Sequence, residues 1–219
     1  SMEFERLICA GGPTGGHLAR PSDRREPKTI GFVQCVGSRC ASEGVSYCSN
    51  ICCMNTIKQT LQIAEHYPEA QCTVFYTDIR AFGKGFEDLY RRSRESGARY
   101  VRGLPGLVEE EPESHDLMVH VENTTTGRME KQQLDLLVLA IGLVPRRAAA
   151  NGGPDVEKLL TLSHTSDGFV MEAHPKLSPV DAPTRGVFFA GCVESPKDIK
   201  DSVTQAGAAA SRAGNLLSA

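Results

Sequence analysis

Residues Thr29 to Ala64 read TIGFVQCVGSRCASEGVSYCSNICCMNTIKQTLQIA. The run from Lys28 to Val36 carries Ile30, Phe32, Val33 and Val36, the composition of a buried strand. It closes on Cys35, and a polar loop with Gly37 and Gly44 follows. Cys48 comes next, then a helical pattern that carries Cys52 and Cys53. Five of the eight cysteines lie between Cys35 and Cys53, so the thiol chemistry of the chain is concentrated here. Four of them, Cys35, Cys48, Cys52 and Cys53, form C-x12-C-x3-C-C, and Cys40 is left over in the loop.

That spacing favours a metal site. Ser49 to Glu65 is predicted as a helix, with Ile51, Met54, Ile57, Leu61 and Ala64 on the face that packs on a sheet. A helix starting near Cys48 puts Cys48 and Cys52 one turn apart on one face, with Cys53 about 100° further round. The positive end of a helix favours thiolate over thiol. With Cys35 supplied by the preceding strand, four thiolates at a strand-loop-helix junction can hold a [4Fe–4S] cluster.

Other readings stay open beside it. Zinc also takes four thiolates, but its structural sites come as paired C-x2-4-C knuckles, and adjacent cysteines crowd one small tetrahedral ion. Such a chain would be a zinc-bound or cofactor-free interaction module. A disulfide framework fits poorly with vicinal cysteines in a reducing compartment, although Cys52 and Cys53 could serve a thiol–disulfide oxidoreductase. Free cysteines can also act as small buried hydrophobes.

The segments QCVGSR (34–39), YCSNICCMNTIKQ (47–59), DIRAFGKGFE (78–87) and ESPKDIKDSV (194–203) resemble the family of heterodisulfide reductase A subunits. The likeness runs from about Phe4 to about Ala213. It implies an electron-transfer oxidoreductase subunit, with a [4Fe–4S] cluster on Cys35, Cys48, Cys52 and Cys53 beside FAD. It also implies that Lys58 approaches the flavin and that other electron-transfer subunits of a heterodisulfide-reductase-like complex are the partners. The members of that family are longer, so the chain resembles a piece of one.

Composition agrees with a globular protein: 219 residues, 40% hydrophobic. A net charge of −3 gives no electrostatic case for nucleic acid. Ser1-Met2 reads as a cleavage scar. The longest apolar run, Leu136 to Val144, is far short of the roughly 20 residues of a membrane span, so the expected location is the cytoplasm.

The rest of the chain reads as α/β: a Rossmann-like three-layer domain of the two-dinucleotide-binding flavoprotein (thioredoxin-reductase-like) class, plus part of an FAD domain. Phe4 to Ala10 is a possible strand, and Arg20 to Lys28 a charged surface linker. Further strands are predicted at Gln71–Thr77, Ala98–Val101, Leu107–Glu110, Leu117–Glu122 and Gln133–Ala140, with Asp135–Pro145 also read as a strand ending in Gly142; a hairpin turn is predicted at Thr126-Gly127, and a helix at Phe86–Ser96. The expected division is residues 1–27 as N-terminal segment and linker, 28–133 as the nicotinamide-type domain, and 134–219 as the C-terminal part of the FAD domain. No G-x-G-x-x-G follows the first strand, so tight binding of a nicotinamide dinucleotide there is not expected, and a ribose role for Asp78 is weak.

In the last unit, short strands are expected at Gly168–Met171 and Gly186–Ala190, a short helix at Val156–Leu162 and a loop at Asn151–Pro154. Ser195, Pro196 and Asp198 have capping-box spacing before a helix rich in small residues, Ala206 to Ala210, that permit tight packing. A strand, Gly191 and a helix N-terminus make an FAD-contact signature. Cys192 stands where related flavoproteins usually have Asp. The flavin set by resemblance is Lys58, Gly142, Gly191, Cys192, Lys197, Asp198 and Ile199.

Overall fold

The strand expected at 28–36 forms as β1, Thr29–Val36, at the centre of a parallel sheet. The computed structural model describes residues 1–145 and 155–218. The chain divides into two compact units, residues 1–39 with 52–142, and residues 40–51 with those from 143 onward.

In the first unit, α1 (Met2–Leu7) precedes β1. After it come α2 (Cys52–His66), β2 (Gln71–Tyr76), α3 (Phe86–Glu95) and β3 (Arg99–Arg102). An antiparallel meander of β4 (Pro105–Glu110), β5 (Leu117–Asn123) and β6 (Arg128–Leu134) leads to β7 (Leu136–Ile141). The parallel sheet has the order β3-β2-β1-β7, a dinucleotide-fold order in which β1 lies beside the point where the winding reverses.

The unit has three layers. Ile30, Phe32, Val74 and Val138 face α1 and α2, meeting Phe4 and Ile63. Val33, Phe75 and Val101 face the meander, meeting Val119, Val121 and Leu134. Burial on both faces explains why β1 reads as a nearly continuous apolar run rather than an alternating one. The meander packs so closely that a Cβ at Gly31 would lie 2.4 Å from Leu134 Cδ1.

Several expectations change. Phe4 to Ala10 is not a strand: Met2–Leu7 is helical, and Phe4 packs edge-on to Phe32 at 5.6 Å. Nor is Arg20 in a surface linker. Leu18 and Arg20 are each 2% exposed. The Arg20 guanidinium lies 2.6 Å from Asp116, 3.3 Å from Asp23 and 3.6 Å from Asp135, which compensates the charge where apolar contact could not. The strand expected from Asp135 onward forms as β7, whereas the strand expected at Gln133–Ala140 is divided between β6 and β7, because the chain turns at Asp135. There the carboxylate accepts from the Lys28 and Thr29 amides and the Thr29 hydroxyl. β7 thereby joins β1 in parallel register, Ile30 opposite Leu136.

The second unit holds α4 (Val156–Leu159), a 3-10 turn at Gly191–Val193, and α5 (Ile199–Leu217), around Val170, Ala182 and Phe189. The strands expected at Gly168–Met171 and Gly186–Ala190 reduce to the single bridges His164–Val170 and Asp181–Phe188, too few pairings for a ladder. The loop expected at 151–154 lies outside the described residues. α5 does not pack tightly through its small residues: none of its described residues is buried, and Ile199 is 84% exposed. Among the described residues no helix is long and apolar enough to cross a membrane.

Candidate metal and cofactor site

The carboxyl end of β1 departs from regular strand. Its pairing with β7 shifts register between Val33 and Val36, and Cys35 has φ +59°. Its carbonyl accepts from Ser38, closing a tight turn. Arg39 at φ +61° and Asn50 at φ +65° follow, so three of the six described non-glycine residues with positive φ lie within this stretch. Such conformations cost about 1–3 kcal/mol each and gather at functional sites.

Asn50 also explains a correction. A left-handed residue cannot belong to a right-handed helix, and α2 begins only at Cys52. Cys48 therefore lies in the loop before it, and the predicted one-turn spacing of Cys48 and Cys52 on a helix face does not form. Instead the Cys48 sulfur accepts from the Asn50 amide at 3.3 Å. The loop is held inside the second unit by its neighbours: Tyr47 donates to the Leu143 carbonyl and packs on Phe169, and Ser49 accepts from the Leu143 amide.

Cys52 and Cys53 are the first two residues of α2, at the end that stabilises thiolate. Cys52 Sγ is 3.6 Å from the Ile141 carbonyl at the end of β7, and Cys53 Sγ is 3.7 Å from the Asp78 carbonyl beyond β2. With Cys35 at the end of β1, the first unit presents three thiols along the carboxyl edge of its sheet, at the crevice where such folds bind ligands. The donor chemistry fits an iron–sulfur group. Among the described residues, however, no three Cys, His, Asp or Glu side chains are drawn close enough to hold a metal ion as they stand. The Gln34 amide on β1 is 1% exposed with neither its oxygen nor its nitrogen partnered.

Arg39 joins this edge together. Its guanidinium is 2.7 Å from Asp78 Oδ2 and 3.9 Å from Cys35 Sγ. The hydrogen bond from Arg39 holds the Asp78 carboxyl below the usual carboxylate range. The sequence reading treated the two residues separately and missed their pairing. It arises from the fold: β1 and β2 run parallel with Val33 opposite Phe75, so residues just beyond each strand meet at one end.

The flavin candidates divide between the units. In the first, Lys58 is half exposed and pairs with Glu5 at 2.6 Å, while the Gly142 amide donates to the Val36 carbonyl. In the second, Gly191 has φ +79°, which suits glycine, and donates to Gln205 at 2.7 Å. Exposed Cys192 lies 3.5 Å from the Lys197 carbonyl. The Lys197 ammonium contacts Glu194 and Ser195 and lines a cleft of about 390 Å³ with Asn50, Pro196 and Gln205. Asp198, not Ser195, caps α5, accepting from the Asp201 amide at 2.8 Å, and Ile199 is the first helical residue.

The remaining thiols differ in reactivity. Burial pushes the Cys72 thiol up to about 12. The Ser42 hydroxyl lowers that of exposed Cys40. In native metal-free protein at pH 8, peptide mapping after iodoacetamide treatment should find Cys40 modified at least about 100-fold faster than Cys72, because thiolate is the nucleophile. Equal rates would show that Cys72 is not held in the core.

Among solved structures, the thioredoxin reductase of T. acidophilum matches 88% of this chain and 53% of its own, with TM-score 0.55 at 12% identity. That of Lactococcus lactis matches 87% and 53%, with TM-score 0.51 at 15% identity. These likenesses establish the fold class, α/β and thioredoxin-reductase-like. No family model matches the sequence. By sequence the chain is a relative of the heterodisulfide reductase A subunits along its whole length. It is 49% identical over 220 residues to the second iron-sulfur A subunit of the CoB–CoM heterodisulfide reductase of Methanopyrus kandleri, covering 100% of this chain and 33% of that protein. It is 46% identical over 213 residues to the A subunit of the H(2):CoB-CoM heterodisulfide,ferredoxin reductase of Methanothermobacter marburgensis, covering 97% and 32%. The chain spans about a third of the length of these curated relatives.

Proposed function

We propose that this chain is the segment of a flavin and iron–sulfur oxidoreductase that holds a [4Fe–4S] cluster on Cys35, Cys48, Cys52 and Cys53 next to an FAD site. In this reading it passes electrons to other subunits of a heterodisulfide-reductase-like complex in the cytoplasm. The carrying observation is the placement of three thiols at one edge of the sheet. Cys35 sits at the carboxyl end of β1, and Cys52 and Cys53 at the N-terminus of α2, where a dinucleotide fold would otherwise seat a pyrophosphate. Relatives of the chain are named as iron-sulfur subunits, which supports the reading.

When bound, the cluster would supply one-electron transfer and the flavin two-electron chemistry. The chain's own residues ligate, orient and set the local charge. The N-terminus of α2 favours thiolate at Cys52 and Cys53. Gly142 and Gly191 allow close approach, while Lys58 and Lys197 offer cationic charge to an anionic cofactor. Asp198 fixes where α5 starts.

Anaerobic reconstitution with iron and sulfide tests the proposal. The protein should take up about four irons per chain and absorb broadly toward the blue-violet. Stoichiometric zinc with no iron uptake would overturn the reading.

A further inference from the structure

We infer that Arg39, aimed by Asp78, is a positioning residue that holds a fixed positive charge against Cys35 and so raises the reduction potential of the bound cluster. This rests on the cluster reading above and adds to it a residue that is not a ligand. Cys35, Arg39 and Asp78 all belong to the first unit, so their geometry is set within one compact body.

The guanidinium fork is used on both sides: Nη2 is 2.7 Å from Asp78 Oδ2, and Nη1 is 3.9 Å from Cys35 Sγ. Arg39 is only 24% exposed, so solvent screens its charge less than that of a surface arginine. Its backbone is held at φ +61°, a conformation that costs energy in a non-glycine residue and is kept where the surroundings require it. Asp78 is tied to the same edge by a second link, since its carbonyl faces the Cys53 sulfur at 3.7 Å. The chain Cys35–Arg39–Asp78–Cys53 thus fixes a cation between two of the four cysteines.

The sign follows from charge. One-electron reduction makes an iron–sulfur centre more negative. A cation and a hydrogen-bond donor at a ligating sulfur stabilise the reduced state more than the oxidised state, and net charge and hydrogen bonds to sulfur are among the quantities that set such potentials. Removing the charge therefore lowers the potential.

The test compares wild type, Arg39→Gln and Arg39→Lys after anaerobic reconstitution, with iron content, circular dichroism and spectroelectrochemical titration as readouts. Arg39→Gln removes no ligand, and its iron content shows how much cluster is loaded before the titration. At a fixed ambient potential its ratio of reduced to oxidised cluster should fall about tenfold, or about 59 mV for a one-electron couple. Arg39→Lys, which keeps the charge, should stay close to wild type. An unchanged potential in Arg39→Gln would overturn the inference, as would an equal fall in both variants. If Arg39→Gln fails to fold or load, Arg39→Lys decides: a wild-type potential supports the charge role, and a tenfold fall overturns it. Wild-type protein that takes up no iron would instead overturn the cluster reading on which the inference stands.

Discussion

Serine in place of Cys35, Cys48, Cys52 or Cys53 is expected to cost the reconstituted protein most of its iron. Each substitution should weaken iron retention by at least about tenfold, because even outer-shell partners of a metal site are worth about 10–100-fold. Serine keeps the size of the side chain while removing the soft sulfur donor that iron–sulfur clusters take. Cys40→Ser, Cys72→Ser and Cys192→Ser should retain iron. The sharpest control is Cys40: it is exposed, lies in the same loop as Cys48 and has a thiol acidified by Ser42. Cys72 is buried on β2 with its thiol pushed up to about 12, and cannot turn to a metal without breaking the core. Iron and sulfide analysis of the seven variants is the measurement. A loss in Cys40→Ser equal to that in Cys48→Ser would show that Cys40 is the fourth ligand. Full retention in all of them would remove the cluster from this stretch altogether.

What could be read from the sequence follows from how far apart the deciding residues are. β1, α2, β2 and α3 were legible because each is a run of local period with clear ends, and the hairpin turn at Thr126-Gly127 because its chemistry is local. The start of α2 was misplaced by three residues because nothing in the residue types announces that Asn50 turns left-handed. Gln133–Ala140 looked like one strand because the apolar pattern is continuous. Only the long-range bonds from Lys28 and Thr29 to Asp135 show that the chain changes sheets there. Arg20 looked like a surface residue because its charge partners lie at positions 23, 116 and 135, two of them about a hundred residues away. The four cysteines were visible as a spacing. The cation between two of them was not, because Arg39 meets Asp78 only through the parallel pairing of β1 with β2.

That buried arginine at position 20 should carry much of the stability of the first unit. In Arg20→Met the side-chain volume is roughly kept, but the guanidinium is lost from Asp116 at 2.6 Å, from the Ser114 carbonyl at 2.6 Å, and from Asp23 and Asp135. Removing one partner of a buried pair costs about 3–5 kcal/mol, because the remaining charge is left uncompensated. Here the carboxylates are 20–27% exposed and reach some water, so the expected loss is near the lower end, about 3 kcal/mol. For a chain of this size that is a fall in Tm of roughly 6–12 °C. The pH dependence fixes the mechanism. The hydrogen bond from Arg20, with that from Gln133, holds the Asp116 carboxyl below its ordinary range. A carboxylate with a depressed folded pKa stabilises the protein above its unfolded value, about 3.9, and loses that contribution as pH falls through the folded pKa. The gap between wild type and Arg20→Met should therefore be full at pH 7 and shrink below about pH 4. Thermal melts of both proteins from pH 7 down to pH 3 read this directly. A gap that does not change with pH would mean that Arg20 acts through packing alone, and no gap at all would mean that its burial contributes nothing to the fold.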